Sequence, residues 1–413
     1  MSFIRDAGRK LELPVLAAVF LLSAVGLAAV YSATEGGPAF FRQLLWVGLG
    51  WGALVVTAAV PYRWTVRYGW AFHLIAVVFL IVLAAKALTR GGAAYRWLTL
   101  GPLTFQPSEL AKVTTALVLA GILDVFGRVG GVPRFILPAL AAGIPAALVV
   151  VEPDLATAAL FLPLFYAALY AAGAPLPQLA LLFTPLAVMA LSFRLVPFLA
   201  CLGVVAVLVL IARASWWERL VLFALNLGAG VATPLFWRLL KGYQRQRILS
   251  FLSPGADPRG AGYNTIQAKI ALGSGRLFGK GFLSGSQVHL KFLPAGHTDF
   301  VLPSWGEEFG FIGCAVVIIL FALFIYRTWA IAYRAADRRG AILAFGLGAL
   351  FLVQFAVNVA MAVGLMPVAG VPLPFVSYGG TATVVSFAAV GLILNVKLRR
   401  EKVAHDLKLK GYY

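Results

Sequence analysis

The run GHTDFVLPSWGEEFGFIGCAVVIILFALFIY, residues 296–326, passes from a polar turn with one aspartate into an apolar stretch that carries no charge after Glu308. A helix of about 20 apolar residues spans a bilayer's hydrocarbon core, and 303–326 meets that length. The same kind of run recurs near 12–32, 40–60, 68–88, 108–126, 134–151, 154–173, 175–193, 195–213, 217–240, 341–365 and 375–396. The pattern predicts an all-α, polytopic membrane protein, a single integral domain over 1–413, with both termini on one side. The Pro-broken stretch 134–173 and the pair in 175–213 leave room for a re-entrant piece in place of a full span.

Composition agrees with that class. Hydrophobic residues make up 62% of the chain, charged residues 12%, and mean hydropathy is +0.92, which excludes an ordinary soluble domain. The first apolar run follows a basic N-terminus, yet it is too long for a signal-peptide core and is expected to be retained. Cys201 and Cys314 both fall in apolar runs and read as small core hydrophobes.

Orientation follows from where Lys and Arg fall in the short connections. With the N-terminus inside, nineteen lie inside, among them the basic tail 397–413, and five lie outside: Arg42, Lys86, Arg90, Arg96 and Arg194. Both termini are therefore expected in the cytoplasm. The net charge of +19 on so apolar a chain argues for anionic lipid and phosphate-bearing ligands rather than nucleic acid.

One connection is far longer than the rest, the extracytoplasmic segment 241–302, and long loops of this kind are usually functional. Tyr263, Ile266 and Ile270 fall at helical spacing, which predicts a short interfacial helix ended by Gly273. Gly273 to Gly281 lacks the Walker spacing and reads as turns, with Arg276 and Lys280 free to face a ligand.

Polar residues in or beside membrane spans are functional candidates by default. Ser108 is expected to cap a helix after Pro107, with Glu109 and Lys112 on one face, where they either neutralise each other or bind a ligand. Glu152-Pro153-Asp154 marks an outer bend. Glu307-Glu308 and Ser377-Tyr378-Gly379-Gly380-Thr381 stand at other span ends. Asp299 has two readings: a cap for the helix starting near Pro303, or a reacting carboxylate beside a basic loop.

Taken in order, Gln106-Pro107-Ser108-Glu109 with Lys112, Glu152-Pro153-Asp154-Leu155, Tyr243-Gln244-Arg245, Phe251-Leu252-Ser253-Pro254, Gly262-Tyr263, His297-Thr298-Asp299-Phe300, Gly306-Glu307-Glu308 and Pro374-Phe375-Val376-Ser377-Tyr378-Gly379-Gly380 resemble the SEDS (shape, elongation, division, sporulation) family. The runs 267–275, 285–287 and 292–294 look more like its elongation branch than its division branch.

The resemblance implies a core of about ten spans, so that 174–213 reads as an inserted hairpin. It also implies a peptidoglycan glycosyltransferase that polymerises lipid II on the outer face of the cytoplasmic membrane and releases undecaprenyl pyrophosphate. It makes Asp299 the catalytic base, with Arg96, Gln106, Glu109, Lys112, Arg245, Lys291, His297, Thr298 and Ser377 binding substrate. A divalent cation, Mg or Mn, could share the phosphate charge with Glu109 as ligand; no organic cofactor is expected. The implied partner is a single-span class B penicillin-binding protein that supplies transpeptidation. Two departures stand out: Ala295 replaces the acid usual two residues before the histidine, and Ala156 a usual glycine. The alternative from another class is a lipid II flippase, which should place its polar groups near the midplane of broken helices and show an internal repeat; no repeat is evident here.

Overall fold

The computed structural model describes residues 12–89, 95–100, 103–126, 133–212, 215–240, 242–252, 262–290, 292–293 and 296–409. Each of the twelve apolar runs folds as helix: α1 (Leu13–Thr34), α2 (Pro38–Ala59), α4 (Gly69–Thr89), α5 (Pro107–Val125), α6 (Pro133–Val151), α7 with α8 (Leu155–Ala159, Phe161–Ala171), α9 (Leu176–Leu191), α10 (Leu195–Ile211), α11 (Trp216–Leu239), α15 (Val301–Tyr333), α16 (Arg338–Ala362) and α17 (Gly380–Leu398). Between them lie the short α3 (Tyr62–Arg67), a hairpin of β1 (Leu98–Leu100) and β2 (Leu103–Phe105), α12 (Gly242–Leu252), α13 (Tyr263–Ser274) and α14 (Ser286–His289), with α18 (Arg400–Leu409) last. Seven are long and apolar enough to cross a membrane (α1, α2, α4, α11, α15, α16 and α17), and four shorter apolar helices accompany them. The protein is a polytopic helical membrane protein.

Local chemistry explains the breaks. Pro163 has no N–H for the Ala159 carbonyl, and the helix interrupts at Leu160 between α7 and α8. α6 runs through Pro138 and Pro145 without a break. The predicted cap at Ser108 is corrected: Gln106 is the N-cap of α5 and Pro107 its first residue, so Ser108 lies inside the first turn. Asn395 of α17 donates to the carbonyls of Thr57 (3.0 Å), Ala58 (2.8 Å) and Val60, while its Oδ1 accepts from Tyr62 N (3.1 Å). It thus satisfies the C-terminal carbonyls of α2 and orients α3.

The long segment is not a free loop. α15 breaks at Gly310, whose φ of 66° and ψ of −162° leave the helix. The next two amides, which a continuous helix would send to Glu307 and Glu308, bond instead to Arg276 O (2.9 Å from Phe311) and Leu277 O (3.2 Å from Ile312). The freed carbonyls of Glu307 and Glu308 accept from Lys280 N (3.0 Å) and Gly281 N (2.9 Å). Only glycine fits at Gly279, where a Cβ would stand 2.0 Å from the Glu308 carbonyl oxygen.

The chain from Val363 to Gly379 crosses the bundle end without regular structure, as a strap. Irregular backbone at membrane depth has to be covered by protein, and Gly26 of α1 permits this, because a Cβ there would come within 2.7 Å of the Phe375 and Val376 carbonyls. Phe375 itself, at φ 66°, is held by Phe324, Phe351 and Phe387 with ring centroids 5.4–5.5 Å away. The hairpin α9–α10 has its own small core, in which Leu181, Val188, Leu202, Val205 and Val209 meet Leu222 of α11. It touches α8 where Tyr166 stacks on Phe183 at 3.8 Å.

Candidate functional site

The turn 296–300 delivers Asp299, half-buried, to the head of α15. The N-cap of α15 is Phe300, so Asp299 stands one residue ahead of the capping position. The strap holds this turn from behind. Asn358 Nδ2 donates to the carbonyls of Asp299 (3.1 Å) and Val371 (2.9 Å), Ser377 Oγ donates to Thr298 O (2.6 Å), and Tyr378 N donates to His297 O (2.9 Å). The His297 ring meets Tyr378 edge-on at 5.6 Å, and burial lowers its imidazole pKa below the ordinary value. Gly370, at φ 71°, faces the carboxylate: a Cβ there would lie 3.6 Å from Asp299 Oδ2.

The strap is tied in turn to α2 and α5. Gln43 Nε2 donates to Ser377 O (3.4 Å) and Thr383 Oγ1 (3.3 Å), and its Oε1 accepts from Gly379 N (3.2 Å). Thr381 Oγ1 accepts from Gln106 N (3.1 Å) and donates to Thr104 O (3.1 Å). Gln106 therefore meets the head of α17 through its backbone. Glu109 and Lys112 form a buried pair at 2.8 Å, with side-chain exposures of 5% and 2%. Removing either partner would strand a buried charge. Glu109 shares a narrow crevice with Gln354 and Ser377.

Arg96 lies apart from that pair. Its guanidinium donates to Pro153 O (2.6 Å) and stands 3.6 Å from Asp154 Oδ2, while Asp154 Oδ1 accepts from Thr157 N (3.3 Å) to cap α7. Arg96, Asp154, Ala156, Gln244, Met366 and Ala369 line a recess of about 250 Å³ at the strap's edge. Beside it, in the turn after α6, Glu152 is buried, and its Oε1 has no hydrogen-bond partner. Burial, reinforced by Asp154 and opposed by Arg96, pushes its pKa up to about 8.

Not every expected residue gathers at Asp299. The Arg245 guanidinium donates to Arg238 O at the end of α11, although its neighbour Gln244 lines the recess. Lys291 lies outside the described residues. Lys280 is not free for a ligand: it donates to Glu307 Oε1 (2.5 Å), which also accepts from Ser286 Oγ (2.9 Å), while Glu307 Oε2 accepts from Gln287 N (3.0 Å). Sequence reasoning passed over Gln43, Gln354 and Asn358. The signal was present for these three amides, each a polar residue inside an apolar run.

Glu109 does not sit in a ready cation site. Its Oε1 is taken by Lys112, and among the described residues no three His, Cys, Asp or Glu side chains cluster as metal ligands.

The FtsW/RodA/SpoVE family model, described as cell cycle protein, matches residues 10–199 and 176–402. The chain is 35% identical over 369 residues to the peptidoglycan glycosyltransferase MrdB of Escherichia coli (strain K12), covering 89% of this chain and 87% of that one. It is 31% identical over 427 residues to the peptidoglycan glycosyltransferase RodA of Treponema pallidum (strain Nichols), covering 94% and 97%. Among solved structures, a chain from work on the coordination of polymerization and crosslinking by a peptidoglycan synthase complex superposes with a TM-score of 0.70 and 26% identity, covering 94% of this chain and 98% of that one. On the family match and the extent of these identities, the chain belongs to the FtsW/RodA/SpoVE family, the SEDS family its motifs resemble.

Proposed function

We infer that this chain is a peptidoglycan glycosyltransferase of the elongation type, polymerising lipid II into glycan strands at the membrane's outer face. The observation that carries the reading is Asp299, a half-buried carboxylate presented at a helix head and facing Gly370 of the strap, whose chain neighbour Ala369 lines the recess with Arg96. The relatives named for this activity, MrdB and RodA, match over most of their length.

A hydroxyl of one lipid-linked disaccharide attacks the anomeric carbon of the growing chain, and the bond to undecaprenyl pyrophosphate breaks. Asp299 accepts the proton of the attacking hydroxyl, which brings alkoxide character to the nucleophile as the new bond forms. Pyrophosphate leaves without needing a protonating acid, so cationic stabilisation is the remaining demand. Arg96, at the edge of the recess, supplies it. The Glu109–Lys112 pair, reaching the strap through the Ser377 crevice, serves the same ligand. One carboxylate suffices for a single inverting displacement, unlike the pair of a retaining glycosidase.

A single-span class B penicillin-binding protein is the expected partner, both termini are expected in the cytoplasm, and α9–α10 is read as an addition to a ten-span core. The experiment gives purified wild type and Asp299→Ala lipid II, with and without the partner, and resolves the products by length. Glycan polymer from wild type alone supports the reading. Lipid II translocation without polymer would favour a flippase instead.

A further inference from the structure

At the bundle end opposite Asp299, the N-cap of α1 meets the C-terminal turns of α15 and α17. Glu12 there holds two cations, Arg327 at 2.6 Å and Lys397 in a shorter contact. Arg334 and Arg400 line the same cavity, about 90 Å³ in volume. Among the described residues the exposed side chains of these two make no hydrogen bond or ion pair, and Arg327 Nε is buried without a partner. Four cations thus line one cavity with a single carboxylate, which the first two already occupy.

Cations gather readily at helix C-termini to meet the last carbonyls. That accounts for Arg399, which bonds to the Ala59 carbonyl. It does not account for Arg334 and Arg400, which have no such bond, nor for the enclosed shape of the cavity. Guanidinium groups around a cavity of this size match a tetrahedral anion with three accepting oxygens. Tyr326 lines the cavity and is exposed, as is Tyr333 on the same helix, and aromatic residues of this kind mark the headgroup level of a bilayer.

We propose that this cavity binds a phosphate group between Arg334, Arg400 and Arg327 Nε, supplied by an anionic phospholipid headgroup or by free phosphate. The site lies across the molecule from the polymerisation chemistry and does not depend on that assignment. Its place at the ends of spanning helices puts it within reach of the headgroup layer, where juxtamembrane cations meet anionic lipid.

The test uses the full chain in phosphatidylcholine nanodiscs. Thermal unfolding is followed as phosphatidylglycerol replaces part of the lipid, and separately as inorganic phosphate is added. The expected result is a rise in melting temperature with phosphatidylglycerol or phosphate, weakened roughly tenfold in apparent affinity by Arg334→Gln/Arg400→Gln. Lys402→Ala/Lys408→Ala, which removes equal charge from α18 outside the cavity, keeps it. A response to phosphatidylglycerol alone identifies the lipid as source, and one to phosphate alone identifies a soluble ligand. No shift of the wild type with either probe overturns the site, and so does equal loss in both double variants, which would mean diffuse attraction only.

Discussion

Asn358, in the middle of α16's final turns, uses one amide group to hold two chain segments that are distant in sequence: the Asp299 carbonyl at 3.1 Å and the Val371 carbonyl at 2.9 Å. The Asp299 carboxylate is therefore positioned through its own backbone. Asn358→Leu keeps the branched shape but removes this donor from both carbonyls, one buried and one part-buried. We expect destabilisation of about 1–3 kcal/mol. The polymerisation rate should also fall on the order of ten- to a hundredfold from misplacement of the base. Thermal melts and polymerisation assays on the same preparation check both; unchanged turnover would detach Asn358 from catalysis.

Asp299→Asn should insert and melt like the wild type and lose on the order of a hundredfold or more in polymer formation. Lipid II consumption measured alongside partner binding decides it. Near-normal synthesis would return Asp299 to a structural role at the start of α15.

For the buried pair, single changes Glu109→Gln and Lys112→Met each strand a charge and should lower both stability and activity. The double variant relieves the stranded charge, so its melting temperature should recover toward wild type while polymerisation stays lost. Recovery of both would make the pair structural alone.

Glu152 gives a pH signature. Its folded-state pKa of about 8 lies above the ordinary carboxylate value of 4.5, so between those two values the folded protein retains a proton that the unfolded chain has released. Its contribution to stability is full below about 4.5 and is lost as pH rises through 8. Glu152→Gln should flatten the decline of melting temperature between about pH 5 and pH 8. A wild-type slope that survives the substitution would assign the titration elsewhere.

Much of this was legible in the chain because a bilayer imposes one simple length rule: the twelve apolar runs all folded as helix, seven of them long and apolar enough to cross a membrane. Asp299, Glu109 and Lys112 stood out because charge beside a span is costly. Arg96 was legible as a cation but not in its neighbour: sequence proximity put it with Glu109 and Lys112, whereas the folded β1–β2 hairpin brings it to Pro153 and Asp154. Lys280 misled for a related reason, since nothing local says that Gly310 will open α15 and draw the 276–281 turns onto Glu307. Long-range backbone exchange leaves no periodic trace.

That exchange at Gly310 has a mechanical meaning. The amides of Phe311 and Ile312 are given to one stretch of loop while the carbonyls of Glu307 and Glu308 take bonds from the next, and the Glu307 side chain clasps Lys280, Ser286 and Gln287 besides. The loop is thus bonded to α15 on both sides of the opening at Gly310 and acts as a splint, holding the two halves of the broken helix at a fixed angle.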